Sequence, residues 1–345
     1  MSSAATQGWR ILPTYMGRQP FCIFGTKPYR YTDTDASSYG DSDAADAVRL
    51  AQGLGFKPGS ALYADVEHYD ATVSTCVTAV RRYVSAWTKR LHASGYLAGA
   101  YVHQDSGALN LSQTYGSTGY ARPDAVWMAR WDLSSSLRGW PTVPDSQWAA
   151  HQRLKQYQGG HDETWGGVRI NVDSDSLDAP VATVSYAYKA TSTTSLNGRS
   201  GPSTGYPIVK IYPAGSTLSV LCQTTGQQIG GTTVWDRLAD GLFVTDYYVS
   251  TSSSTGFTAP LPRCTYPGQV TATDGLNART GPGASYSLSG SPVPFGALAW
   301  VMCQRAGSTV GTTAVWDRLD DGRWVSDYYV SNGSNTTYTS AVPRC

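Results

Sequence analysis

The second half of the chain is an internal duplication, and no other sequence feature constrains the fold as strongly. The segment SLNGRSGPSTGYPIV, which begins at Ser195, is echoed by GLNARTGPGASYSLS from Gly275. Further along, LCQTTGQQIGGTTVWDRLADGLFVTDYYVS is echoed by MCQRAGSTVGTTAVWDRLDDGRWVSDYYVS, and both copies finish on Pro-Arg-Cys. Matching positions lie 80 or 81 residues apart. We therefore predict two equivalent repeats, repeat 1 over 184–264 and repeat 2 over 266–345.

Each repeat is predicted to form a small barrel of short β-strands. A Gly-Pro turn comes first, and an apolar alternating run that ends in Cys follows it. An Asp-Gly pair then separates the Trp-Asp-Arg-Leu run from the Val-x-Asp-Tyr-Tyr-Val run, which is a typical hairpin pattern. If the second run is a strand, one Tyr of each pair faces the core and the other faces solvent.

The repeats resemble bacterial SH3-like domains. The signature Leu-Asn-x-Arg-(Ser/Thr)-Gly-Pro and the later Trp-Asp and Tyr-Tyr-Val segments carry the resemblance, which covers both copies almost completely. It implies attachment to peptidoglycan through a groove lined by aromatic side chains. The candidate wall-binding residues are the tyrosine pairs Tyr247, Tyr248, Tyr328 and Tyr329.

Six cysteines indicate disulfide bonds and therefore export to an oxidising compartment. Four of them occupy equivalent positions in the two repeats, which predicts the bonds Cys222–Cys264 and Cys303–Cys345. For the other two, Cys22 and Cys76, a third bond is one alternative and a partner in a missing segment is the other. We accordingly expect an extracellular or cell-wall location.

The first half of the chain has a different pattern, in which strand-like runs alternate with amphipathic helices. The predicted strands are 10–15, 61–67, 97–102, 125–131, 154–158 and 168–173. One helix is predicted over 43–54 after the cap candidates Asp41 and Ser42, and another over 77–93. Repeated alternation of this kind indicates a parallel sheet with crossover helices, either doubly wound or closed into a barrel.

Carboxylates cluster where these strands end. Asp65 and Glu67 lie two residues apart, so their side chains share one face of a strand, and Asp132 and Asp173 follow later strands. In a (β/α)8 barrel the chemistry sits at the carboxyl ends of the strands. Carboxylates that converge there are what glycoside hydrolysis requires.

At these residues the chain resembles an actinobacterial glycoside-hydrolase-like barrel domain that is distantly similar to family-25 lysozymes. The motifs are GWRILPTYMGRQ, SALYADVEHYD, VWMARWD, LKQYQGG and ETWGGVRINVDSDSLD, and the domain is expected over 1–180. The resemblance makes Glu67 the general acid, Asp65 its charged neighbour, and Asp173 a further catalytic carboxylate. The expected substrate-binding residues are Trp127, Arg130, Trp131, Asp132, Gln156 and Tyr157.

The chain departs from that family at its start. The family begins with a strand that carries Gly-(Ile/Phe)-Asp, whereas this sequence opens at what would be the third strand. We therefore expect an incomplete (β/α)8 barrel of the TIM type, with about six of eight strands, followed by two small all-β SH3-like barrels. A signal peptide is expected to have preceded the missing strands.

These observations favour a secreted, wall-directed glycoside hydrolase of the lysozyme type, anchored by its repeats. The expected partner is peptidoglycan or another cell-wall polysaccharide. The formal net charge of +1, without a basic cluster, disfavours a nucleic-acid partner, and there is no apolar stretch long enough to span a membrane. No metal or other cofactor is expected. A non-catalytic wall-binding protein is the alternative, and an amidase or peptidase is disfavoured because the sequence has no metal-ligand or Cys-His constellation.

Overall fold

A computed structural model describes Ala4, Gln7 and residues 9–253, 255–339 and 342–345. The first half of the chain contains strands β1 (Thr14–Tyr15), β2 (Gln19–Pro20), β3 (Arg30–Tyr31), β4 (Ala61–Val66), β5 (Leu97–His103), β6 (Ala125–Ala129), β7 (Arg153–Trp165) and β8 (Val168–Asp178). Its helices are α1 (Ala36–Gly53), α2 (Ser74–Ala93) and α3 (Leu109–Gln113), the last preceded by a π-helical turn, Gln104–Ala108. A curved six-stranded sheet has the order β1-β4-β5-β6-β7-β8, while β2 and β3 form a separate pair.

The strands of this sheet divide their side chains between two faces. On β4, Leu62, Ala64 and Val66 join the large core that includes the helices, whereas Ala61 and Tyr63 join a smaller cluster on the concave face. Tyr63 lies flat against Gly99 of β5, where a Cβ atom would come within 2.2 Å of the ring. Asp65 is two residues after Tyr63, so the same alternation places it on the concave face. Glu67 follows directly after the end of the strand.

Helix α2 has the buried face that its sequence predicts, with Val80, Val84, Trp87 and Leu91 all in the core. Helix α1 is longer than predicted, because Asp41 and Ser42 lie inside the helix and not at its cap. Packing explains the difference. Gly40 lies directly against the backbone of α2, so tertiary contact extends the helix past residues that would otherwise favour a cap.

The sheet is mixed, which corrects the prediction of a wholly parallel sheet with crossover helices. Strands β1, β4, β5, β6 and β7 run parallel, but β8 is antiparallel to β7. The turn between β7 and β8 is Gly166-Gly167, and both glycines have positive φ. Two residues are enough for a hairpin, whereas a parallel connection needs a crossover. The β6–β7 connection contains no helix. Three α-helices are complete within the described residues of this half. The curved sheet fits part of a barrel.

The two repeats form separate antiparallel sheets. The first contains β9 (Tyr186–Lys189), β10 (Ser195–Arg199), β11 (Ile208–Pro213), β12 (Thr217–Ile229), β13 (Thr232–Leu238) and β14 (Phe243–Thr245). The second contains β15 (Tyr266–Val270), β16 (Leu298–Val310), β17 (Thr313–Leu319), β18 (Trp324–Ser326) and β19 (Val330–Ser331). The central hairpins share one register, since Cys222 faces Arg237 in one repeat and Cys303 faces Arg318 in the other.

The tyrosine pairs do not lie on strands, which corrects the predicted Val-x-Asp-Tyr-Tyr-Val strand. They belong to short 3₁₀-helices, Asp246–Tyr248 and Asp327–Tyr329. No member of either pair is fully buried, and Tyr247 and Tyr248 are 42% and 38% exposed. Within each pair the rings meet edge to face, with centroids 4.8 Å apart.

The Asp of each tyrosine motif has a structural role instead. Asp246 is buried beside Asp236, and the Gln223 side-chain amide donates to both carboxyls at 2.9 Å. Burial and the neighbouring charge of Asp246 raise the pKa of Asp236 well above its usual range, so the pair retains a proton. Gln304, Asp317 and Asp327 repeat this cluster in the second copy.

The predicted disulfide bonds Cys222–Cys264 and Cys303–Cys345 are confirmed. Of the two alternatives for Cys22 and Cys76, the structure shows a bond between them. In repeat 1 the bond holds the C-terminal tail against β12, where the Cys264 amide donates to the carbonyl of Gln223 at 2.9 Å. Cys345 and Gln304 repeat that hydrogen bond in the second copy. Among the described residues, no helix is long and apolar enough to cross a membrane.

Candidate functional site

A cavity of about 550 Å³ opens where β4, β5 and β6 end. These strands are parallel, so their carboxyl ends meet at one edge of the sheet. The cavity is lined by Val66, Glu67, His68, Tyr101, His103, Gln104, Asp105, Ala129, Arg130, Trp131 and Asp132. Glu67 and the whole Arg130–Asp132 segment, all predicted from the sequence, are among the lining residues.

The end of β4 is held in place by the buried side chain of Gln19. Its amide nitrogen donates to the Asp65 carbonyl at 2.7 Å, and its oxygen accepts from the Glu67 amide at 3.0 Å. The side chain thereby replaces the backbone partner that a neighbouring strand would supply, and fixes the segment that carries both carboxyls. Gln19 begins the two-residue strand β2, which is too short to give a periodic pattern in the sequence.

Asp65 and Glu67 occupy different electrostatic environments although they share a face. Burial, together with the charge of Glu67, raises the pKa of Asp65 to about 6, and Lys27 opposes this only in part. Asp65 Oδ1 is buried without a hydrogen-bond partner among the described residues. Glu67 instead reaches the cavity and forms an ion pair with Lys27, with 2.9 Å between Oε1 and Nζ. The hydrogen bond and charge of Glu67 raise the pKa of Lys27 in turn.

Gln156 of β7 connects the two sides of the concave face. Its Oε1 accepts from the Tyr101 hydroxyl at 2.9 Å and from the Trp131 indole at 2.8 Å. Its Nε2 donates to Asp173 at 2.9 Å. Burial and the surrounding carboxylates raise the pKa of Tyr101, so its hydroxyl stays protonated and can donate to a ligand or to Gln156.

Two tryptophans flank this network. Trp127 donates through its indole nitrogen to Asp175 at 2.7 Å, and burial raises the pKa of Asp175 to about 6 despite that bond. Trp131 is 69% exposed and lies over Gly159, where a Cβ atom would come within 2.6 Å of the ring. Glycine at that position lets the indole lie flat at the edge of the cavity, which is the arrangement that a sugar-stacking platform needs.

Asp132 is engaged by two cations. Its carboxylate lies 2.7 Å from Arg130 Nε and 2.6 Å from the buried Lys155 Nζ. The ion pairs orient the Arg130 guanidinium at the cavity wall. The predicted residues that lie outside the cavity lining are Asp65, Trp127, Gln156, Tyr157 and Asp173. The Tyr157 backbone carbonyl accepts a hydrogen bond from the Leu133 amide.

The cavity also contains a pair of histidines that the sequence analysis did not predict. His68 follows β4 and His103 ends β5, and their rings stack with centroids 3.8 Å apart. Burial and the neighbouring His68 lower the pKa of His103, so this ring is neutral near pH 7. Tyr101 and His103 lie two residues apart at the end of β5, which pairs with β4, so period-two alternation could have placed both on the face that carries Asp65.

The model of one protein family matches residues 1–177, and its description is Rv2525c-like, glycoside hydrolase-like domain. The match therefore covers the six-stranded sheet and the cavity at its carboxyl edge. No curated protein matches the chain.

Proposed function

Because the chain belongs to the Rv2525c-like, glycoside hydrolase-like family, we propose that it hydrolyses glycosidic bonds in peptidoglycan or a related wall polysaccharide. The observation that carries the proposal is the Asp65–Glu67 pair, in which Asp65 is half-buried behind the cavity with a raised pKa and Glu67 lines the cavity. Two carboxyls in unlike environments are the usual means of separating acid and charge-stabilising roles.

The chemistry follows from the positions of the two carboxyls. Below about pH 6 Asp65 retains a proton, so the pair carries one proton and one negative charge. Glu67 is the member that lines the cavity, so the proton passes from Asp65 to Glu67 and then to the leaving-group oxygen as the glycosidic bond breaks. The two carboxylates left behind stabilise the positive charge that develops on the sugar ring. A water molecule then adds to the anomeric carbon and returns one proton to the pair. Trp131 supplies an exposed aromatic surface for a neighbouring sugar.

A non-catalytic glycan-binding protein is the second candidate, and the Lys27–Glu67 ion pair favours it. An ammonium group at 2.9 Å competes with the substrate for the Glu67 carboxylate. In that case the same cavity, aromatic platform and hydrogen-bonding groups hold a sugar without cleaving it.

We expect hydrolysis to depend on pH through Asp65. Raising the pH above about 6 removes the shared proton, so the rate should be highest below that value and fall about tenfold per pH unit above it. The measurement is reducing-end release from purified peptidoglycan between pH 4.5 and 8 (about 0.5 unit steps), with pelleted protein quantified in parallel. Binding without any release at every pH would favour the non-catalytic candidate.

We further infer that the repeats are SH3-like modules that attach the protein to the wall outside the cell. In repeat 2 a groove of about 310 Å³ is lined by Asn277 and Arg279 of the shared signature and by Tyr329. The Arg279 guanidinium also donates to the Tyr286 carbonyl at 2.7 Å, which keeps the Gly-Pro loop beside the groove. The three disulfides are compatible with an oxidising, extracellular environment.

Removing Tyr329 and its equivalent in repeat 1, Tyr248, should weaken wall attachment. We expect the double variant Tyr248→Ala, Tyr329→Ala to pellet with insoluble peptidoglycan about tenfold more weakly, and each single variant less so, because two linked modules reinforce each other. Tyr120→Ala, on the helical side of the sheet domain, is the matched control. Unchanged pelleting of the double variant would show that these rings do not contact the wall.

A further inference from the structure

A second groove, of about 540 Å³, lies between the two repeats and contains three arginines. Both repeats contribute to its wall, through Tyr206 and Arg263 of repeat 1 and through Arg318 and Arg344 of repeat 2. No Asp or Glu side chain lines the groove. It is separate from the cavity that Glu67 lines, so a ligand of this groove would bind whether or not the protein hydrolyses glycans.

The repeat architecture brings these arginines together. Arg263 and Arg344 occupy equivalent positions on the two C-terminal tails, where each forms a parallel bridge to the buried glutamine of its repeat. Arg318 lies on β17 opposite Cys303, which also lines the groove. The groove therefore combines one tail and one central hairpin from each repeat.

The three guanidinium groups have no carboxylate within ion-pair distance in the part of the chain that the structure describes. Some arginines elsewhere in the protein do have such partners, for example Arg90 with Asp41 and Arg153 with Asp145. Burial, and then the positive charge of Arg318, lowers the pKa of Arg263. Like charges are thus held close together at a cost in electrostatic energy that a bound anion would relieve.

Aromatic rings hold two of the guanidinium groups in place. Arg263 lies over the Phe257 ring and Arg344 over the Tyr338 ring, each with 3.2 Å between the guanidinium carbon and the ring centroid. Stacking of this kind orients the planar group without using its hydrogen-bond donors. The donors remain available to an external acceptor.

We propose that the groove between the repeats binds a multiply charged oxyanion, such as the phosphate or carboxylate groups of an anionic polymer. Guanidinium groups match the paired oxygens of phosphates and carboxylates with two parallel hydrogen bonds. Three such groups around one groove suit a ligand that carries more than one negative charge. The repeats would then bind an anionic ligand between them, in addition to any ligand of the repeat 2 groove that Tyr329 lines.

The test is calorimetric titration of the full chain at low ionic strength with two probes, inorganic tripolyphosphate and citrate. We expect saturable binding, weakened about tenfold or more by Arg318→Gln and abolished by combining it with Arg263→Gln and Arg344→Gln. Arg305→Gln, an exposed charge on β16 outside the groove, is the matched control and should stay within about twofold. Binding of tripolyphosphate alone identifies phosphate as the ligand chemistry, and binding of both probes extends it to carboxylates.

Arg318→Lys keeps the charge but loses the planar fork, and should bind with intermediate affinity. Near-ultraviolet circular dichroism shows whether Arg318→Gln folds. If it does not, Arg318→Lys takes its place in the test. Failure of both probes to bind the unmodified chain would overturn the proposal. An equal loss of affinity in the Arg305 and Arg318 variants would also overturn it, because binding would then follow net charge and not the groove.

Discussion

Replacing Glu67 by Gln should lower the rate of reducing-end release from peptidoglycan by about a hundred-fold or more. The substitution keeps the shape and the backbone hydrogen bond to Gln19 but removes the carboxyl that faces the cavity. Without it, the proton held near Asp65 has no route to the leaving-group oxygen. Pelleting with peptidoglycan should be unchanged, because the aromatic platform and the repeats are untouched.

The chain offers a matched control, since Glu163 is its only other glutamate. Glu163 lies on the β7–β8 hairpin, where it accepts a hydrogen bond from Trp165 at 2.6 Å, and it lies outside the cavity lining. Glu163→Gln should therefore retain the full rate. Strong hydrolysis that persists in Glu67→Gln would place the catalytic group elsewhere. Absence of hydrolysis in the unmodified chain, with binding intact, would favour the non-catalytic candidate.

Removal of the disulfide in repeat 2 should strongly destabilise the protein. We expect the double variant Cys303→Ala, Cys345→Ala to lose about 3–4 kcal/mol of unfolding free energy in the chain-entropy model, given the 42-residue separation of the two cysteines. The loss has a structural reason as well. The bond holds the tail over Gln304, whose Oε1 accepts the Thr339 amide at 2.8 Å and whose Nε2 serves the buried carboxyl pair.

Urea unfolding followed by tryptophan fluorescence measures this effect. The equivalent variant in repeat 1, Cys222→Ala with Cys264→Ala, is the internal control, because its bond spans the same 42 residues and its tail covers Gln223 in the same way. Similar losses in the two repeats are expected. A loss below about 1 kcal/mol in both would show that the tails are held by packing and hydrogen bonds alone.

The fold was predictable from sequence wherever the deciding interactions are local or repeated. The duplication paired the cysteines correctly, because equivalent positions in two copies of one fold must lie at equivalent distances. Period-two alternation placed Asp65 on β4 with Glu67 directly after its end, and 3.6-residue spacing gave the buried face of α2. These patterns report which side of an element meets the core, and burial of apolar surface enforces them.

Two predicted strands differ from the structure because a local sequence pattern alone does not determine them. The Gly166-Gly167 pair between two alternating runs is a hairpin signal, yet a parallel strand was predicted because earlier strands alternate with helices. The tyrosine motifs look like strands, but Asp246 and Asp327 turn inward to the buried glutamines and end the strands there. A buried polar cluster thus overrides the local preference of the tyrosines.

The chemistry of the sites was decided by tertiary structure alone. The sequence indicated Glu67 as a candidate, but Gln19, which binds its backbone amide, and Lys27, which pairs with its carboxylate, lie 48 and 40 residues earlier in the chain. Gln156 likewise meets Tyr101 and Asp173 only because three strands lie side by side. Nothing in the sequence places Arg263 beside Arg318, since they belong to different repeats. Periodicity identifies the face on which a side chain lies, whereas charge, burial and hydrogen bonding depend on whichever distant segments pack against that face.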